Sequence, residues 1–231
     1  MLVSNASTVE LRVQELIKNF DKYIEIYTKR GPFGQPGQLD YHRRTIALRR
    51  NAGSATNAIN DDDFLWSLYE TLRFWGMDSQ GAHRAPFPKF KDELRLKATL
   101  ISAFDEIRID DQKLDIQEKS SELWQIMNSL EINLNDTKLV ACSKILHHIL
   151  PDLVVPIDRR YTGRFFEKTS ESAFDNTQEN TFIIAMGYFA KIAISTNPIR
   201  RVGKGWNTCQ TKIIDNAIVG YIRALEYNIS V

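Results

Sequence analysis

KLVACSKILHHILPDLVVPIDRRYTGRFF, residues 138–166, is the stretch on which the fold of this chain turns. Leu139, Cys142, Ile145, Leu146 and Ile149 recur at the spacing of a helix with one buried side, and Pro151 stops that helix. Asn135 or Asp136 is its expected cap. Leu153–Ile157 is the one plausible extended piece of the chain, and a single short piece makes no sheet. Asp158 follows at the exit of this apolar segment, beside Arg159 and Arg160. An acid in that place either caps the short helix expected to run to about Lys168 or serves chemistry.

Outward from this centre the pattern stays helical. Val9, Val13, Leu16, Ile17, Phe20, Ile24 and Tyr27 predict one long amphipathic helix over 7–29, opened by a capping box at Ser7–Glu10. The glycine- and proline-rich 31–37 is a connector. A short helix from Asp40 to Arg50, a small polar loop over 51–60 and a helix over 61–77 ending at Gly76 come next. An irregular loop carrying His83 and Arg84 follows, then helices over 88–107 and about 118–130 with an acidic connection between them. Beyond Asp158 a polar loop over 169–179 leads to an apolar, central helix over 180–195, where Gly187 allows close packing. Asn197-Pro198 breaks it, and a basic loop ends at Trp206. Thr208 caps a last helix. The expectation is an all-α protein of about eight to ten helices in one domain, with lobes at 1–130 and 131–231 if it divides. Trp66 and Trp75 are expected in the core.

With 43% hydrophobic and 26% charged residues the composition is that of a globular protein. No apolar run spans a bilayer and no basic-then-apolar leader opens the chain, so no membrane partner is expected. Cys142 and Cys209 match no zinc or redox spacing, and a reduced, cytoplasmic protein is the natural inference. Net charge is only +1, yet the cations cluster at Arg43–Arg50, at Arg159, Arg160 and Arg164, and at Arg200, Arg201, Lys204 and Lys212. If the fold joins these groups they offer a phosphate-binding face.

Thr137, Lys138, Val155, Pro156, Ile157 and Asp158 resemble the centre of the helix-hairpin-helix DNA glycosylase superfamily. The resemblance implies a two-lobed helical architecture and DNA as the partner. It implies that Asp158 stabilises positive charge developing at the sugar, with Lys138 as the nucleophilic amine of the bifunctional branch. It covers about thirty residues. Leu134-Asn135-Asp136 stands where the family hairpin carries its glycine turn, and the cysteine cluster of some members is absent.

Lys144, inside an otherwise apolar helix, is a second candidate amine, because poor hydration lowers the pKa of a lysine. Arg159, Arg160, Arg200, Arg201 and Lys204 are candidate phosphate contacts, and Trp206 offers a stacking face in a loop freed by Gly203 and Gly205. His147 and His148, adjacent on a helix, diverge by about 100°, so one is expected in the core and one at the surface, not together on a metal. No ligand spacing joins His42, His83 and the acids, and neither metal nor cofactor is expected. The functional expectation is a nucleic-acid-binding helical protein, a glycosylase-like enzyme acting on a flipped base. The alternative is a non-catalytic helical module whose arginines bind an acidic partner.

Overall fold

The computed structural model describes residues 3–31, 33–78, 83–132, 138–166, 178–229 and 231, with side chains from Thr8 onward. Among these residues there are twelve α-helices, a 3-10 turn at Pro198–Arg201 and no strand. The order is α1 (Val3–Lys18), α2 (Phe20–Arg30), α3 (Gln38–Asn51), α4 (Ala55–Asn60), α5 (Asp62–Phe74), α6 (Phe87–Leu96), α7 (Ala98–Ser102), α8 (Ile116–Ser129), α9 (Lys138–Ile149), α10 (Thr162–Phe165), α11 (Gln178–Thr196) and α12 (Gln210–Glu226). The chain is all-α. No described helix is long and apolar enough to cross a membrane.

Several boundaries depart from the periodicity, each for a local reason. The helix expected over 7–29 begins earlier, at Val3, and kinks at Asn19, where φ is −114° and ψ 26°. The helix expected over 88–107 breaks at Lys97, whose amide is shared between the Glu93 and Leu94 carbonyls at 3.3 and 3.2 Å. The supposed loop 51–60 holds α4, because the Ser54 hydroxyl accepts from the Asn57 amide and Ala55, Ala58 and Ile59 are buried. Small residues there pack closely; they do not signal a loop. The helix after Asp158 is only α10, and the expected caps Asn135 and Asp136, like Lys168 and most of the 169–179 loop, lie outside the described residues.

The central helix is α12, not α11. Every residue from Thr211 to Ile222 is buried, whereas α11 leaves Ile184 and Ile194 exposed. Helix α2 lies along α12 at backbone contact: a Cβ on Gly220 would stand 1.9 Å from the Tyr23 carbonyl oxygen. Gly187, expected to mediate close packing, meets no atom of the described residues within 4 Å of its would-be Cβ. Between α3 and α5 three small hydroxyls replace bulky side chains, with Thr45 Oγ1 2.8 Å from both Ser67 Oγ and Thr71 Oγ1. The buried Arg49 of α3 donates to the Ile149 carbonyl at the end of α9 (2.6 Å) and pairs with Asp105, whose other oxygen accepts from the Ala55 amide at 2.8 Å. A guanidinium on the carbonyl end of a helix is favoured by the dipole as well as by the hydrogen bond.

Leu153–Ile157, expected as the one extended piece, forms no strand: Leu153 belongs to the turn after α9, with its amide on the Leu150 carbonyl (3.1 Å), and Val154–Ile157 is irregular. Its backbone is satisfied by side chains: His147 Nδ1 donates to the Val154 carbonyl (3.0 Å) and the Ile157 amide donates to Ser143 Oγ (3.1 Å). In the turn just before it, Thr211 donates to the Pro151 carbonyl (2.7 Å) and Gln210 to the Asp152 carbonyl (2.9 Å). These bonds fix where Asp158 emerges.

Two glycine substitutions separate packing from propensity. Gly220→Ala should lower the unfolding free energy by at least about 3 kcal/mol, since backbone must move to admit the methyl group. Gly187→Ala, in open space inside α11, should raise it by about 0.5–1 kcal/mol. Urea unfolding followed by circular dichroism measures both.

Candidate functional site

Asp158 opens into a cavity of about 400 Å³ between α5, α9, α12, the 33–38 connector and the turn 158–161. Phe33, Trp75 and Tyr161 give it aromatic walls; Lys144, Asp158, Lys212 and Asp215 give it two amines and two carboxylates; Arg73 and Arg160 stand at its rim.

Each charged group is held by a local device. Asp158 accepts the Tyr161 amide at 2.6 Å, so its carboxylate is oriented as a cap would be, although α10 begins only at Thr162. Burial and then repulsion from Asp215 raise its pKa, against the pull of the Tyr161 amide and Lys144. Lys144 donates to the Trp75 carbonyl at the end of α5 (3.1 Å). Burial holds its amine below the ordinary lysine range, with Asp158 and Asp215 opposing that shift. Lys212 is fully buried, with Nζ 2.5 Å from Asp215 Oδ2 and 2.6 Å from Asn216 Oδ1. Four rings surround this ammonium: Tyr27, Phe33, Trp75 and Trp206 have centroids 5.1–5.8 Å away. Two buried polar atoms of the walls, Trp75 Nε1 and Tyr161 Oη, have no hydrogen-bond partner among the described residues. A buried donor left unpaired costs about 1–3 kcal/mol, which a polar ligand atom would recover.

Against the Trp75 side of the cavity lies a cluster of three histidines. His147 and His148 are both fully buried, contrary to the expectation that one would face the surface. Being adjacent they do diverge, and His42 from α3 fills the angle, with ring centroids 5.8 and 5.1 Å from theirs. A carbonyl can only accept, so His148 carries its proton on Nδ1, facing the Lys144 carbonyl at 2.7 Å, and His147 carries its own on Nδ1. His42 Nδ1 then donates to His148 Nε2 (2.9 Å), and the Thr208 hydroxyl donates to His42 Nε2 (2.7 Å). Thr208 therefore does not cap α12; Cys209 stands at that position. Burial depresses all three imidazoles, His148 to about 4, and Lys212 adds repulsion. They are neutral at pH 7.

The sequence-derived candidates separate. Asp158, Lys144 and Arg160 meet at the cavity. Lys138 does not: its Nζ donates to the Leu130 carbonyl after α8, about 9 Å along the helix from Lys144 at 1.5 Å per residue. Trp206 is partly buried and packs on Phe33 (5.3 Å) and His42 (5.4 Å), so it shapes the amine cage and is no free stacking platform. Arg201 is tied to Asp21, while Arg200 and Lys204 are exposed. Arg159 is half-buried. The three basic groups do not form one free face, because Arg49 is paired with Asp105, Arg160 and Arg164 face Glu226, and Lys212 lies inside. The hairpin residues Leu134-Asn135-Asp136 lie outside the described residues. Comparison with family models, curated proteins and solved structures found no match for the chain.

Lys212, Asp215 and Asn216 went unread as site residues, although three polar residues spaced between Ile213, Ile214 and Ala217 of a helix with an apolar core face were a signal. Breaking their pairing tests its weight. Lys212→Met leaves Asp215 buried and unpaired and should cost about 3–5 kcal/mol. Adding Asp215→Asn should restore most of that loss in urea denaturation.

Proposed function

We propose that the cavity binds a flipped nucleobase with its sugar and that the chain is a divergent glycosylase-like enzyme, similar in its chemistry to the helix-hairpin-helix superfamily. One observation carries this reading: a carboxylate and an amine of lowered proton affinity share an aromatic-walled cavity that also holds unpaired polar atoms. Cavities of this size suit a small ligand held between apolar walls by a few placed polar groups. A base would stack on Phe33 and pair with Trp75 Nε1 and Tyr161 Oη, while Arg73 and Arg160 at the rim would meet phosphates.

As the glycosidic C1′–N bond breaks, its electron pair leaves with the base and positive charge develops on the sugar. The Asp158 carboxylate stabilises that charge. The Lys144 amine, with its lone pair free in the neutral form, adds to C1′ and passes its surplus proton to Asp158; the C1′–O4′ bond then breaks, O4′ takes that proton back from Asp158, and the nitrogen lone pair forms the C1′=N Schiff base that borohydride reduces. Lys144 replaces Lys138 as the candidate amine, because Lys138 lies away from the cavity.

Duplexes bearing modified bases, assayed in single turnover, provide the test. Asp158→Asn should lower base release by about 100- to 1000-fold. Borohydride should trap a covalent complex with the wild type and not with Lys144→Gln, whereas Lys138→Gln should trap normally. Absence of both base release and trapping across the panel would sink the enzymatic proposal.

Stability should move the other way in the same variant. The folded-state pKa of Asp158 is raised, so its contribution to stability is full below the ordinary aspartate pKa and is lost as pH rises through the raised value. Asp158→Asn should therefore melt above the wild type at neutral pH, and the difference should close toward pH 4 in thermal scans.

A further inference from the structure

The three buried histidines are wired in a way that the cavity chemistry does not use. One ring nitrogen from each of His42, His147 and His148 lies within 4.8 Å of the others. The outward nitrogen of every ring already has an oxygen partner: Lys144 carbonyl for His148, Val154 carbonyl for His147 and Thr208 hydroxyl for His42. The two carbonyls accept, as do the oxygens that fix ring tautomer and orientation around a metal ion, while the Thr208 hydroxyl can either donate or accept. The nitrogens left for an ion are His42 Nδ1, His148 Nε2 and, once its ring turns, His147 Nε2. The last of these is a fully buried acceptor with no hydrogen-bond partner among the described residues. A buried, unpaired lone pair is costly, and a cation would satisfy it.

We infer that His42, His147 and His148 form a binding site for one late first-row transition-metal ion, with zinc the natural occupant. Three neutral nitrogen donors suit zinc, copper or nickel and do not suit magnesium or calcium, which seek oxygen. Zinc–nitrogen bonds of 2.0–2.1 Å in a tetrahedron set the nitrogens about 3.4 Å apart. The His42–His148 pair, now at 2.9 Å, would open by a few tenths of an ångström, and the third ring would turn inward. His42 would change tautomer, its proton moving from Nδ1 to Nε2. There it would donate to Thr208 Oγ1, reversing the present bond. The ligands need lose no proton, since all three rings are neutral. Lys212 is the cation that opposes the ion, and Asp215 and Asn216 hold it in place. Three ligands leave a fourth position, the ligand count of zinc sites that keep a water or substrate atom. Trp75 links the cluster to the cavity: it lines the cavity, and its ring lies 4.8–6.0 Å from all three imidazoles.

Cobalt(II) titration of the full chain, stripped with chelator, tests the site. We expect one equivalent to bind with the visible absorption of four-coordinate cobalt, bleached by one equivalent of zinc and untouched by magnesium. His147→Gln should lose this uptake and His83→Gln, at the only other histidine of the chain, should keep it. If His147→Gln loses its helical circular dichroism, Thr208→Val replaces it, with an expected loss of about 10- to 100-fold in affinity. No saturable uptake of either ion by the folded wild type overturns the inference. So does uptake that follows His83 in place of His147, or an affinity unchanged in Thr208→Val. Base release by the metal-free protein bears on the cavity alone, so the two proposals fail separately.

Discussion

A buried, irregular segment that meets no strand among the described residues is the constraint on which the rest depends. Leu153–Ile157 carries peptide groups through the interior, where each needs a partner. With no ladder beside it among the described residues, side chains provide bonds: Ser143 and His147 of α9 to the segment itself, and Gln210 and Thr211 of α12 to the turn that leads into it. This explains why α9 and the start of α12 carry polar residues on buried faces. Asp158 inherits its position from these bonds, and so do the imidazole of His147 and the tautomer it adopts. Positions that look like ordinary polar core residues are therefore the framework of the cavity.

The charges of the chain serve mainly to close the fold. Arg49 joins α3, α4, the Asp105 turn and the end of α9 in one buried knot. Glu226 gathers Arg164 and Arg223, and Asp21 takes Arg201. The exposed cations Arg200 and Lys204 stand apart from those at the cavity rim, of which Arg160 faces Glu226 and Arg73 is paired with Glu70.

The helical class was legible because apolar periodicity is a local property, and Asp158 and Lys144 were legible because both sit in one short stretch. Lys138 and Lys144 could not be told apart by motif alone; six residues of helix turn them about 120° from each other. The histidine cluster was hidden for a different reason. His42 meets His148 across 106 residues, and no spacing within either helix announces it. Helix α4 was missed because Ala55, Ala58 and Ile59 make a small buried face in a segment whose composition reads as a turn. Lys212 looked like part of a basic patch, and only its four surrounding rings reveal it as an interior cation.

The contact of Gly220 with the Tyr23 carbonyl has a consequence for how the protein is made. Helices α2 and α12 are nearly two hundred residues apart in sequence, yet they touch backbone to backbone. During synthesis α2 leaves the ribosome long before its partner exists, with Tyr23, Ile24 and Tyr27 uncovered. The same late helix delivers Lys212 and Asp215 to the cavity. A nascent chain thus carries an apolar liability until α12 emerges, and the amine–carboxylate set is completed in the same event that buries it.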